Sequence, residues 1–163
     1  MLKKYPWKEK WSSRNKLVAS FVRKGSILDI GGGLGEILQF VKPTEYKSID
    51  TEEWTNDTIV ANLNVDFPSI KCQFDNVICQ GIIEYIIDPV GFLLHIKKYG
   101  ERMILTYRTG DGKKYPVDRK CFLKQEQMRD TILMCGWEIT KVVDSVSILE
   151  KVYICKRKKS NDF

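Results

Sequence analysis

Hydrophobic positions along this chain fall into helically spaced stripes and short apolar runs, and the switches between them mark out its elements. Trp11, Val18, Phe21 and Val22 share helical spacing and predict a helix over 7–23, with Pro6 at its start and Gly25 at its end. "SILDI" (26–30) reads as a short buried strand. "LGEILQFV" (34–41) would place Leu34, Ile37, Leu38 and Val41 on one helical face, stopped by Pro43. "YKSID" (46–50) and "FDNVICQ" (74–80) read as strands, with a weaker one at "TIVANL" (58–63). Asp88-Pro89 opens a helix running to about Lys98, ended by Gly100. "RMILTYR" (102–108) is a further strand, followed by the polar loop "TGDGKKYPVDRK". A helix over 123–135 turns Met128, Ile132 and Cys135 inward and ends at Gly136. "WEITKVVDSV" and "ILEKVYICK" then follow almost without a break, which predicts an antiparallel hairpin.

Strands alternating with helices predict parallel pairing. The expected fold is α/β: a three-layer, doubly wound, mostly parallel Rossmann-like sheet with a C-terminal antiparallel hairpin. At 163 residues the chain is expected to form one domain. Its expected parts are an N-terminal helical cap (1–24), a core (25–157) and a tail (158–163).

Composition narrows the class. Hydrophobic residues at 43% and charged residues at 29% exclude disorder. No apolar run is long enough for a membrane span, and "MLKKYPWKEKW" has no apolar leader core. The cysteines Cys72, Cys79, Cys121, Cys135 and Cys155 form no C-x-x-C pair. They read as reduced, mostly buried thiols of a cytoplasmic protein, and no metal site is expected. The net charge is +6, with basic runs near both ends. Those runs are either solvated termini or a surface that attracts polyanions such as nucleic acid.

The chemistry starts at "ILDIGGGLG", where four glycines fall in five positions between a strand and its expected helix. In a doubly wound sheet that place is the ligand-binding switch point. Glycine lets the backbone turn tightly and a ligand approach it closely. A dinucleotide fingerprint is incomplete, because the sixth position is Glu36 counted from Gly31 and Leu38 counted from Gly33. No G-K-[ST] follows, which excludes a P-loop.

These residues resemble the first motif of the class I S-adenosylmethionine-dependent methyltransferases: an apolar strand, the acidic Asp29, then Gly31, Gly33 and Gly35 in a G-x-G-x-G pattern. Asp50 fits the second motif, an acidic residue ending strand two. "ANLN" offers Asn62 and Leu63 for the polar pair beside the adenine, and "FDNVICQGIIEYIIDP" is similar to the fourth motif and the E-H-x-x-D-P-like segment after it. "ILTYR" and the later "GW" bring the chain nearest to small MetW-like or type 11 methyltransferase domains. The resemblance spans about residues 25–157. It implies S-adenosylmethionine as methyl donor and S-adenosylhomocysteine as product. It also implies donor contacts from Asp29, Ile30, Gly31, Gly32, Gly33, Gly35, Asp50, Thr51, Asn62, Leu63, Gln80, Gly81, Ile82 and Tyr85.

The chain departs from the pattern in three places. Asn62 stands where the family usually has Asp. Only "TEEWTND" separates strands two and three, so a helix there is short or missing, and Trp54 is either a cover for the adenine or a core anchor. Tyr85 replaces the histidine of the E-H pair.

Catalytic candidates at the strand ends are Glu84, Tyr85, Tyr107 and Arg108. Arg108 either binds an acidic substrate group or pairs with Glu84. His95, the only histidine, lies mid-helix and reads as a packing or surface residue. The loop 109–120 is either a substrate lid or a solvated connection, and its Lys113, Lys114, Arg119 and Lys120 suit an anionic acceptor. The helix carrying Trp7, Trp11 and Arg14 either closes over the donor or packs on the sheet. The leading expectation is methyl transfer to a small-molecule or carbohydrate-linked acceptor by in-line displacement. The alternatives are a non-catalytic binding module or subunit of a larger enzyme and, third, a nucleic-acid methyltransferase, against which the absence of an N-P-P-[YF] signature counts.

Overall fold

The computed structural model describes residues 8–109, 118–147 and 149–159, with side chains from Trp11 onward. Pro6, Trp7, Lys113 and Lys114 lie outside the described residues. The elements are α1 (Lys8–Ala19), β1 (Ile27–Ile30), β2 (Tyr46–Asp50), β3 (Thr58–Val60), β4 (Asn76–Gln80), α2 (Pro89–Ile96), β5 (Arg102–Arg108), α3 (Gln125–Met134), β6 (Trp137–Asp144) and β7 (Glu150–Arg157). All strands join one sheet in the order β3-β2-β1-β4-β5-β7-β6. β1 to β5 pair in parallel, and β7 runs antiparallel between β5 and β6. The terminal hairpin is therefore not a simple edge addition: its second strand takes the inner slot.

Alternating side chains divide the core between the two faces of the sheet. Ile27, Ile78 and Ile104 meet Val18 of α1 and Ile37 on one face. Leu28, Val77, Met103 and Leu105 meet Phe92, Leu93 and Ile96 of α2 and Met128 and Ile132 of α3 on the other. This gives the three layers that the strand–helix alternation predicts. Asp88 caps α2 by accepting from the Gly91 N–H at 2.9 Å, and Pro89 occupies the first turn. Trp137 is fully buried, and its ring N–H donates to the Leu93 carbonyl.

Two local expectations are corrected, and the short or missing helix between β2 and β3 is found missing. Residues 34–41 form no α-helix, only a 3₁₀ turn at Glu36–Gln39. Ile37 is the one apolar side chain fully buried there and Val41 packs at the edge of the core, while Leu34 and Leu38 are 48% and 40% exposed. With Gly35 left-handed before the turn and Pro43 soon after it, the segment is too short to gain from an apolar stripe. β3 is three residues rather than six. The β2–β3 connection holds no helix. A parallel connection usually needs a dozen residues or more. Here Thr58 pairs with Ser48, so the chain retreats past only the last residues of β2, roughly 7 Å. Hydrogen bonds from Ser48 Oγ and from the Thr55 N–H to Thr58 Oγ1 pin that turn. Trp54, 36% exposed in the same loop, is not a core anchor.

Cys79, Cys121, Cys135 and Cys155 are buried, Cys72 is exposed, and all five are free thiols. Among the described residues, no helix is long and apolar enough to cross a membrane.

Candidate functional site

A cavity of about 470 Å³ opens at the carboxyl ends of β1, β2 and β4. Gly31 and Asp50 form one side, Ala61, Asn62, Leu63 and Asn64 a second, and Gln80, Gly81 and Ile82 a third. Tyr85, Ile86, Asp118 and Lys120 complete the wall, with Ile49 and Thr51 beside Asp50. Parallel strands all end on this side, which is why one opening gathers residues from so many segments.

The glycine loop has the backbone its spacing suggests. Gly31, Gly33 and Gly35 have φ of 74°, 49° and 69°, a region that L side chains rarely adopt. Gly32 is small for a different reason. A Cβ there would lie 3.0 Å from both the Asp29 carboxyl and the Ser48 side chain. The Gly31 N–H donates to the Ile49 carbonyl at 2.7 Å, closing the loop onto β2.

Asp50 is the pivot. Its Oδ2 accepts from the Gly33 N–H at 3.0 Å, and its Oδ1 accepts from the Thr51 N–H at 2.7 Å. Oδ2 keeps a lone pair for a ligand in the cavity, while Oδ1 also accepts from the Thr51 hydroxyl at 3.4 Å.

Asp29 does not line the cavity. It is 3% exposed, packed beneath Gly32, and accepts from Tyr46 Oη at 3.1 Å. Burial pushes its carboxyl up to about 7; the Tyr46 hydrogen bond opposes that shift, the Asp50 charge adds to it, and Arg14 opposes it. Ile30 is fully buried, and Gly32, Gly33 and Gly35 shape the loop without facing the cavity. The other donor-contact candidates, Gly31, Asp50, Thr51, Asn62, Leu63, Gln80, Gly81, Ile82 and Tyr85, do line it.

Of the catalytic candidates, only Tyr85 faces the cavity. Glu84 turns inward; its Oε1 accepts from the backbone N–H of Arg108 at 2.8 Å, and burial pushes its carboxyl up. That N–H is the Glu84–Arg108 link. Tyr107 is buried and its hydroxyl donates to the Leu123 carbonyl. Arg119 is also structural: it is 5% exposed, donates to the Cys121 and Arg108 carbonyls, and lies over the Tyr107 and Phe122 rings. This strut presents Asp118 and Lys120, on either side of it, to the cavity. His95 stacks on Phe67 at 4.0 Å, a packing role.

Sequence reasoning missed Ile49, Ala61, Asn64, Ile86 and Asp118. Asn64 matters most: its Nδ2 donates to the Tyr85 carbonyl at 2.9 Å, and its Oδ1 accepts from the Ile87 N–H at 2.8 Å. The amide thus clamps two walls together across 21 residues. Its only sequence signal is the repeated Asn of "ANLN". On the α1 side, Asn15 Oδ1 accepts from Gln80 Nε2 at 2.8 Å, and the Arg14 guanidinium packs over Gly81 while pairing with Glu150 at 3.7 Å. Gln80 Oε1 is buried without a hydrogen-bond partner.

This fold recurs in known structures. A chain from the complex between the Haloferax volcanii Trm112 methyltransferase activator and the putative methyltransferase matches at TM-score 0.76 and 11% identity, over 94% of this chain and 92% of that one. A SAM-dependent methyltransferase from Aquifex aeolicus matches at TM-score 0.71 and 16% identity, over 93% and 94%. This is the class I methyltransferase fold. The class I methyltransferase fold is not confined to one reaction, since the [4+2]-cyclase SpnF matches at TM-score 0.74 and 12% identity, over 95% of this chain and 83% of that one. No protein-family model and no curated protein sequence matches the chain.

Proposed function

We propose that this chain is an S-adenosylmethionine-dependent methyltransferase acting on a small-molecule or carbohydrate-linked acceptor. The observation that carries the reading is the pairing of a left-handed glycine loop with the Asp50 carboxylate on one wall of the cavity.

The residues fit the donor. Asp50 would accept its ribose hydroxyls. Gly31 leaves backbone rather than side chain facing its amino-acid portion. Gln80, at the end of β4 on the same wall, would lie beside its ammonium. Ile49, Leu63, Ile82 and Ile86 supply apolar surface around its base and exclude water. When bound, the donor supplies a methyl on a sulfonium whose leaving group departs neutral. The chain's own task is then mainly positioning, which can supply several kcal/mol. Tyr85, Asp118 and Lys120 ring the opening where an acceptor would enter, and Lys120 suits an anionic group.

A second reading, a donor-binding module that does not catalyse, is favoured by the engagement of Glu84 and Tyr107 in structure rather than chemistry. Calorimetry with S-adenosylhomocysteine, followed by methyl transfer from labelled donor across an acceptor panel, decides between the readings. Binding with turnover supports the first, and binding without turnover the second. Absence of sub-millimolar binding sinks both.

A further inference from the structure

The pole of the sheet opposite the cavity is basic. Parallel β1, β2, β4 and β5 begin there, and antiparallel β7 ends there. The exit of α1 brings Arg23 and Lys24, the turn after α2 brings Lys97 and Lys98, and the end of β7 brings Lys158 and Lys159. These segments are far apart in sequence but are tied to one another. The Arg23 N–H donates to Asn76 Oδ1, Arg102 donates to the Phe21 carbonyl, and Arg157 donates to the Lys97 carbonyl at 3.1 Å. The Lys158 N–H donates to the Gly136 carbonyl, the glycine over which the Lys97 ammonium leans.

Acids are fewer than bases among the described residues of this pole: Glu101 pairs with Arg157 at 2.9 Å, Asp75 is held ionised by the Ser26 N–H and hydroxyl, and Glu45 and Glu138 are exposed at the starts of β2 and β6. Arg23, Lys24, Lys98, Lys158 and Lys159 are exposed. Like charges are also held close: burial and then the neighbouring Arg23 lower the pKa of Arg102. Among the described residues, the exit of α1, the turn after α2 and the end of β7 expose no large apolar side chain, as membrane insertion or an apolar protein interface would favour; Met134, 77% exposed at the end of α3, is a single apolar residue on this pole. The exposed acids Glu52 and Glu53 lie at the other pole, after β2.

We propose that this basic pole docks the phosphodiester backbone of a nucleic acid. Lysines and arginines that neutralise successive phosphates release counterions, and this binds a strand without reading its sequence. Because the surface faces away from the cavity, the bound strand is a tether and not the methyl acceptor. The inference goes beyond the donor-binding reading and stands or falls separately from it.

The test is fluorescence anisotropy of the full chain with a labelled poly-uridine oligonucleotide and with a labelled DNA duplex, over a range of salt. The expected result is binding that weakens linearly in log–log form as salt rises. The triple variant K98E/K158E/K159E is expected to lose about tenfold or more in affinity and to flatten the salt slope by about one for each phosphate it no longer neutralises. Its unchanged melting temperature would establish that it is folded. K124E, at the cavity end of α3, is expected to bind nearly as the unaltered chain does. Three results would overturn the proposal. These are no salt-dependent binding, equal weakening by K124E, and binding to phosphatidylserine vesicles without binding to either oligonucleotide.

Discussion

The backbone N–H of Gly33 donates to Oδ2 of Asp50 at 3.0 Å, joining the loop after β1 to the end of β2. One carboxylate thus holds the loop in shape and faces the cavity. Asp50→Ala removes both functions. S-adenosylhomocysteine affinity is expected to fall by ten- to a hundredfold, about 1.5–3 kcal/mol for hydrogen bonds to a charged group. Titration calorimetry reads the loss. An unchanged dissociation constant would remove Asp50 from the donor site.

Gly32 and Gly33 are adjacent and glycine for different reasons, so alanine scanning separates them. Gly32→Ala forces a Cβ against Asp29 and Ser48 at 3.0 Å and is expected to cost about 1–3 kcal/mol through overpacking. Gly33→Ala meets nothing within 4 Å but keeps φ at 49°, at a cost of about 1–2 kcal/mol. Denaturant unfolding measures both. A repacking change such as Ser48→Gly should relieve the first variant and leave the second unaffected.

Asp29 makes stability depend on pH in the sense opposite to an ordinary surface carboxylate. Its folded pKa is raised, to about 7 from 3.8, so between those values the native state holds a proton that the unfolded chain has released. Stability conferred by the protonated form is therefore full below about pH 4 and is lost as pH rises through 7. Glu84, also raised by burial, acts in the same direction. His95, lowered by burial, acts in the opposite one. Asp29→Asn, still able to accept from Tyr46, is expected to melt higher than the unaltered chain at pH 8 and nearly equally at pH 4. Equal melting at both values would disprove a protonated Asp29.

Asn64→Ala breaks the clamp between the β3 loop and residues 85–87 and leaves the Ile87 N–H without its partner. Both bonds are exposed to water, so the expected cost is about 0.5–1.5 kcal/mol in stability, with weaker donor binding because two walls lose their link. His95→Gln is expected to cost stability alone, through the lost stack on Phe67. If His95→Gln weakened S-adenosylhomocysteine binding while Asn64→Ala did not, these two assignments would be reversed.

Local pattern determined much of this molecule. Near-continuous apolar runs in "ILDI" and "NVICQ" specify buried strands, because a sheet covered on both faces needs apolar side chains on each. The spacing of Gly31, Gly33 and Gly35 specifies left-handed turns, because a Cβ is penalised there whatever surrounds it. Such effects act within a few residues and are visible in one dimension. Only the tertiary structure decided the rest. It showed that "LGEILQFV" winds into a single 3₁₀ turn, since Leu34 and Leu38 find no core to enter. It showed that Gly32 is small because Asp29 and Ser48 lie against it, that Glu84, Tyr107 and Arg119 face inward, and that Asn64 reaches Tyr85. Each of these depends on a neighbour brought close by the fold from outside the local pattern, and periodicity along a chain carries no record of such neighbours.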